Sequence, residues 1–129
     1  MSAADVIDRY LAAMRGGDRE SAYGFYADDI VFRIPGRSRY AGTHRGREAA
    51  VRYIESAVAT SHEGDVEVEL VDKLVSEERV ALILRERFKR EAGVLEIRRA
   101  NVYRVSGDQI VEVWIFEGDQ YEVDELLAG

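Results

Sequence analysis

Cysteine is absent from this 129-residue chain, so a disulfide framework, a thiolate metal site and a cysteine nucleophile are all excluded. Histidine occurs only twice, as His44 and His62. A transition-metal centre would therefore have to rely on carboxylates, and none is expected. No apolar run approaches the roughly 20 residues needed to cross a bilayer. The opening Met-Ser-Ala-Ala-Asp lacks the basic and apolar regions of a signal peptide, so a cytoplasmic location is the expectation. Basic residues are the minority, 18 against 25 acidic, and the net charge of −7 disfavours nucleic acid as a partner. Arg33, Arg37, Arg39, Arg45 and Arg47 form a local exception, read as a solvated loop surface or a site for an anionic group.

What is present is enough for one domain, residues 1–129, with 47% hydrophobic residues to build its core. Val6, Ile7, Tyr10, Leu11 and Met14 recur at helical spacing and predict a helix over Ala3 to Arg15, capped by Ser2 and ended by Gly16-Gly17. Asp18 can cap a short second helix that turns Ala22, Phe25 and Tyr26 inward. A strand is expected at Ile30 to Ile34, closed by Pro35-Gly36, followed by an irregular loop from Arg37 to Arg45. A third helix then starts near Gly46 with Ala50, Ile54, Ala57, Val58 and Ser61 inward. Beyond His62 the period changes: Val66, Val68 and Leu70 alternate with acids, as in a half-buried strand. Strands near Arg79 to Arg90, Val94 to Val105 and Gln109 to Glu117 follow through short connectors, which makes neighbours antiparallel. Helices first and a strand meander afterwards define an α+β class, with a strongly curved, mostly antiparallel sheet wrapped over three helices.

Four stretches carry a resemblance. They are Tyr10-Leu-Ala-Ala-Met-Arg-Gly-Gly-Asp18 with Tyr26-Ala-Asp-Asp-Ile-Val-Phe-Arg-Ile-Pro-Gly36, then Gly42-Thr-His-Arg-Gly-Arg-Glu-Ala49, then Val102-Tyr-Arg-Val-Ser-Gly-Asp-Gln-Ile-Val-Glu-Val-Trp114. In this order they resemble the cone-shaped fold of nuclear transport factor two and ketosteroid isomerase, and within it the SnoaL-like polyketide cyclase domains. The resemblance implies a pocket for a small, apolar, carbonyl-bearing ligand, no cofactor, and a homodimer through the sheet. It does not imply one reaction, because the superfamily spans isomerases, cyclases, hydrolases, dehydratases and non-catalytic proteins.

By the same resemblance Tyr10 matches an oxyanion-donating tyrosine. Asn101 takes the place of a carboxylic acid that is kept protonated, and an amide donates at any pH. The isomerase's general base falls at Ile34, which supplies no proton transfer. Arg99-Ala-Asn101 resembles the Arg-x-Asp strand motif of limonene-type epoxide hydrolases, whose second acid would fall at Phe116; with both acids missing, that route to epoxide opening is not expected. Candidate replacement bases are Glu112, His44 and Asp119, the last in a C-terminal segment whose Tyr121, Val123, Leu126 and Leu127 can fold across the pocket mouth. A two-residue hairpin turn at Gly107-Asp108 sets Asn101 opposite Trp114, Tyr103 opposite Glu112 and Arg99 opposite Phe116. These residues, with Phe32 and Ile34 of the first strand, are the expected ligand contacts. The last strands look apolar on both faces, with Ile110, Trp114 and Phe116 on one and Val111, Val113 and Ile115 on the other. Helices would cover one face and a second subunit the other.

Overall fold

A computed structural model of the chain describes residues 1–61, 66–90 and 93–126. Within it α1 (Ala3–Arg15) begins as its sequence dictates: the Ser2 hydroxyl accepts from the Asp5 N–H, and the Asp5 carboxylate accepts from the Ser2 N–H in return. Val6, Ile7 and Tyr10 form its buried stripe. The Asp18 side chain caps α2 (Arg19–Tyr23). Strand β1 (Tyr26–Ile34) starts four residues earlier than the apolar alternation predicts, because Tyr26 and Ala27 are buried while Asp28 and Asp29 project outward. The segment expected to be irregular contains β2 (Gly42–Arg45), an antiparallel partner of β1 that pairs His44 with Phe32. Its lack of apolar residues hid it, since an exposed edge strand needs no buried side chains.

Helix α3 (Arg47–Ser61) and strands β3 (Val66–Val75), β4 (Arg79–Arg90), β5 (Gly93–Ser106) and β6 (Gln109–Glu117) follow, then a short α4 (Gln120–Leu126). The six strands form one sheet in the order β2-β1-β6-β5-β4-β3. Every pairing is antiparallel except β1 with β6, which is parallel and brings the two halves of the chain together. Val80, Leu82 and Leu84 of β4 and Tyr103 of β5 face inward and meet α1 and α3 in the core, while Phe88 of β4 and Ile97 of β5 form a separate cluster. At the opposite end Val123 of α4 packs on Phe88 and Ile97, so the C-terminal segment does fold back over the inner face. It is anchored there by Asp124, whose carboxylate accepts from the Arg37 N–H at 3.1 Å. Gly36 makes that approach possible: its φ of +96° suits glycine, and a Cβ would collide with Asp124 and Gln120. Tyr121, expected in the same cover, is instead almost fully exposed. The connector 62–64 with His62, residues 91–92, Leu127, and the side chains of Ser61, Val66 and Leu126 lie outside the described residues.

The β5–β6 hairpin corrects the expected register. Next to the Gly107-Asp108 turn the pairing is regular, with Ser106 opposite Gln109 and Val105 opposite Ile110. Arg104 then pairs with Glu112, so Val111 is an extra residue, a β-bulge. From there on every β6 side chain is on the face opposite to the one expected, because strand alternation has a period of two. Tyr103 pairs with Val113, Asn101 with Ile115 and Arg99 with Glu117. Trp114, Phe116 and Glu112 point away from the helices. Ile110, Val113 and Ile115 therefore share the inner face, and the outer face carries the stacked rings of Trp114 and Phe116.

Candidate functional site

The curved sheet and the helices flank a cavity of about 520 Å³ that is partly open to solvent. Tyr10, Leu11, Met14 and Arg15 of α1 and Tyr53, Ile54, Ala57 and Val58 of α3 form one side. The sheet side alternates by strand: Phe32 from β1, Val68 and Leu70 from β3, Leu82, Leu84 and Glu86 from β4. Arg99, Asn101 and Tyr103 from β5 and Val113 and Ile115 from β6 complete it. The lining is mostly aliphatic and aromatic, and its polar groups fall into two clusters.

The deeper cluster is phenolic. Tyr10 and Tyr103 are buried with ring centroids 5.8 Å apart. The Tyr10 hydroxyl is 2.7 Å from that of Tyr26, which stands behind the cavity wall, and either oxygen can donate. If Tyr26 donates, the Tyr10 proton is free for a ligand acceptor. Burial pushes the Tyr10 phenol well above its ordinary range and the Tyr103 phenol up to about 12. Both therefore stay protonated at neutral pH and remain able to donate. The Asn101 amide donates to the Tyr103 hydroxyl at 3.4 Å, while its Oδ1 is buried without a hydrogen-bond partner.

The second cluster is ionic and spans three strands. Arg99 Nη1 lies 3.0 Å from Glu86 Oε2, and Arg99 Nε lies 3.0 Å from Glu117 Oε1. Both contacts are ion pairs by distance but too poorly aligned to be hydrogen bonds; the aligned bond is Nη2 to Glu117 Oε2 at 3.3 Å. Only 3% of the Glu117 side chain is exposed, and burial raises its carboxyl pKa against the lowering effect of Arg99, with the Glu86 charge adding to the rise. Two carboxylates around one guanidinium leave the cluster one negative charge in excess when both are ionised. Arg99, an expected ligand contact, is thus occupied by the protein's own acids.

Of the sequence-derived candidates, the cavity wall gathers Tyr10, Phe32, Arg99, Asn101 and Tyr103. Ile34 is buried in the adjoining core without reaching the wall. Glu112, Trp114 and Phe116 are excluded from it by the Val111 bulge. Glu112 instead pairs with Arg33 at 3.0 Å and Arg104 at 3.6 Å on the outer face, where the Arg33 guanidinium also lies 5.5 Å from the Trp114 ring. His44 lies behind Tyr53, ring centroids 5.2 Å apart, and its Nε2 donates to the Tyr40 carbonyl at 2.7 Å. Asp119 is exposed and accepts from the Glu122 N–H, which makes it the cap of α4. The arginine-rich segment does not converge on an anion site. Arg33 is paired with Glu112, and Arg47 donates to the Tyr23 carbonyl at 2.8 Å.

Glu86 and Glu117 were not among the sequence candidates. Glu86 carried a readable signal, being in phase with Val80, Leu82, Leu84 and Phe88 on an otherwise apolar strand face. An acid in that register is either paired or functional. Glu117 carried none, since the bulge reverses its apparent face. Among the described residues, no three histidine, aspartate or glutamate side chains converge to hold a metal ion, and no helix is long and apolar enough to cross a membrane.

Residues 7–113 match the SnoaL-like domain. The chain is 29% identical over 125 residues to the uncharacterized protein Rv0034 of Mycobacterium tuberculosis, covering 96% of this chain and 95% of that one. Among solved structures it is similar to Bal32a from a soil-derived mobile gene cassette, with a TM-score of 0.84, 25% identity, and coverage of 97% and 95%. It is also similar in fold to RV0760c from Mycobacterium tuberculosis, solved in complex with estradiol-17beta-hemisuccinate, with a TM-score of 0.70, 22% identity, and coverage of 90% and 94%.

Proposed function

The chain belongs to the SnoaL-like domain family, and from that premise we propose that its cavity takes up a small, largely apolar, carbonyl-bearing molecule for cofactor-free isomerisation or aldol-type cyclisation. The observation that carries the reading is an apolar cavity of about 520 Å³ with Tyr10, Tyr103 and Asn101 gathered at its buried end. Apolar walls supply affinity, and a few convergent polar groups orient the ligand. A carbonyl oxygen placed between the Tyr10 hydroxyl and the Asn101 amide would be polarised by donors that stay protonated at neutral pH. Such donors act most strongly where water is excluded. The fold relative bound to a steroid hemisuccinate supports the size class of ligand.

A solvatochromic ketone, 6-propionyl-2-(dimethylamino)naphthalene, tests the reading. Its emission is expected to shift to the blue on saturable binding, and Ala57→Trp, which places an indole in the cavity from α3, is expected to abolish the shift. No blue shift with the wild-type protein, or an unchanged one with the blocked variant, would remove the ligand from this cavity.

A binding role without turnover is favoured by a separate observation. Position 34 holds isoleucine, and position 116 holds an outward phenylalanine, so neither supplies the acid that the resemblance expects there. The two readings share the binding experiment and part at proton transfer. The assembly reading is a homodimer through the outer sheet face, where Trp114 and Phe116 are 44% and 47% exposed. Wild-type protein at micromolar concentration is expected to scatter light as a dimer, and W114K/F116K as a monomer. A monomeric wild type would refute that assembly.

A further inference from the structure

The residues that the resemblance would assign to proton transfer are missing, yet the cavity wall does carry a carboxylate. Glu86 reaches the wall from β4, where its strand neighbours on the same face are Leu84 and Phe88. An acid costs free energy in such surroundings unless it is paired. Its pairing is one-sided: Oε2 is within 3.0 Å of Arg99 Nη1, while Oε1 has no hydrogen bond or ion pair among the described residues. Arg99 is in turn held through Nε and Nη2 by Glu117, so the guanidinium is fixed from behind by an acid that does not itself line the cavity. The result is a cavity carboxylate with one tethered oxygen and one spare.

We propose that Glu86 is the proton acceptor of this cavity, with Arg99 and Glu117 as its positioning residues. The proposal rests on the ligand-pocket reading and adds a spacing to it. Glu86 pairs with Ile97 on β5, four residues from Asn101, and its carboxylate reaches back diagonally to Arg99, two residues from Asn101. The substrate class is therefore a carbonyl compound whose acidic C–H bond is separated from its carbonyl oxygen by a conjugated spacer. That is the reach of a vinylogous position or of a second ring, not of the α-carbon. In the step itself Glu86 Oε1 takes the proton, the C–H electron pair moves into the conjugated system, and the charge arrives on the oxygen held by Tyr10 and Asn101. The proton returns from the Glu86 carboxyl to another carbon of the same system, so neither oxidant nor cofactor enters.

Abstraction can be read without the natural substrate by using 5-nitrobenzisoxazole. Removal of its C3 proton converts the C–H pair into a nitrile bond, breaks the N–O bond and releases a coloured phenolate. Wild-type protein is expected to show saturable elimination. Glu86→Gln should lower kcat by about 10²-fold or more with KM changed little, as expected for loss of a general base. Glu86→Asp, which keeps the carboxylate, should retain an intermediate rate. The groups facing Glu86 are Arg99 and Tyr103 from β5, Glu117 from β6 and Tyr53 from α3, with Arg15 on the α1 wall and Asp124 behind Glu117. Glu117→Gln leaves Arg99 wholly to Glu86, so it should lower kcat with KM changed little while activity persists. Melting curves confirm that each variant is folded. Wild-type protein that binds the fluorescent ketone but gives no elimination, or an E86Q variant as active as wild type, would overturn the assignment of the base. Failure to bind the ketone at all would instead overturn the pocket reading.

Discussion

Replacing Arg99 with methionine is expected to destabilise the protein by about 3–5 kcal/mol at pH 7.5, since breaking a buried ion pair leaves an uncompensated charge. Here two are left, because Glu86 and Glu117 both depend on the same guanidinium. The deficit should shrink on acidification. Burial already raises the Glu117 carboxyl above its ordinary 4.5, and Arg99 opposes that rise. A carboxyl with a raised folded pKa favours folding when protonated. Its contribution is full below about 4.5 and is lost as pH rises through the folded value. Removing Arg99 lifts that value further, so the variant should regain stability relative to wild type between pH 7.5 and 5. Urea unfolding of both proteins at the two pH values measures this. Equal stability at pH 7.5, or a deficit that does not narrow at pH 5, would show that the three groups are not energetically linked.

Phe32→Ala is expected to cost a similar amount, about 3–5 kcal/mol. The ring is 2% exposed and meets Tyr26 edge-on at 5.5 Å and Tyr53 at 5.8 Å, in the strand that joins β2 to β6. Its removal loses the transfer free energy and both aromatic contacts. Neighbours cannot collapse into the space, because Phe32 already borders the cavity and the new void simply extends it. Thermal unfolding should give a lower Tm, and the fluorescent ketone should restore part of the loss by occupying the enlarged space. A loss below about 1 kcal/mol would mean that the wall around Phe32 is loosely packed.

The capped start of α1 was legible in the sequence, since Ser2, Asp5 and the Val6-Ile7-Tyr10 stripe act within one stretch of chain. So was the position of the hairpin turn: Gly107 has the positive φ that a tight connection demands. Tyr10, Phe32, Arg99, Asn101 and Tyr103 were found as wall residues because they precede the bulge or lie on other strands. Trp114, Phe116 and Glu112 were misplaced because one extra residue, Val111, reverses alternation beyond it. The identity of the cavity acid was missed for a different reason. Glu86 is one of 25 acids, and its one local signal, being in phase with Val80, Leu82, Leu84 and Phe88, does not tell a paired acid from a functional one.

The first three helices, strands β1 and β3 to β6, the caps, the turn and the α+β class follow from interactions between residues close in sequence, where helical and strand periodicities are read directly. The parallel pairing of β1 with β6, the face presented by Trp114 and the meeting of Glu86, Arg99 and Glu117 were decided only in three dimensions. Each depends on the lateral register between strands. A single unpaired residue changes that register while leaving the local hydrophobic pattern almost untouched.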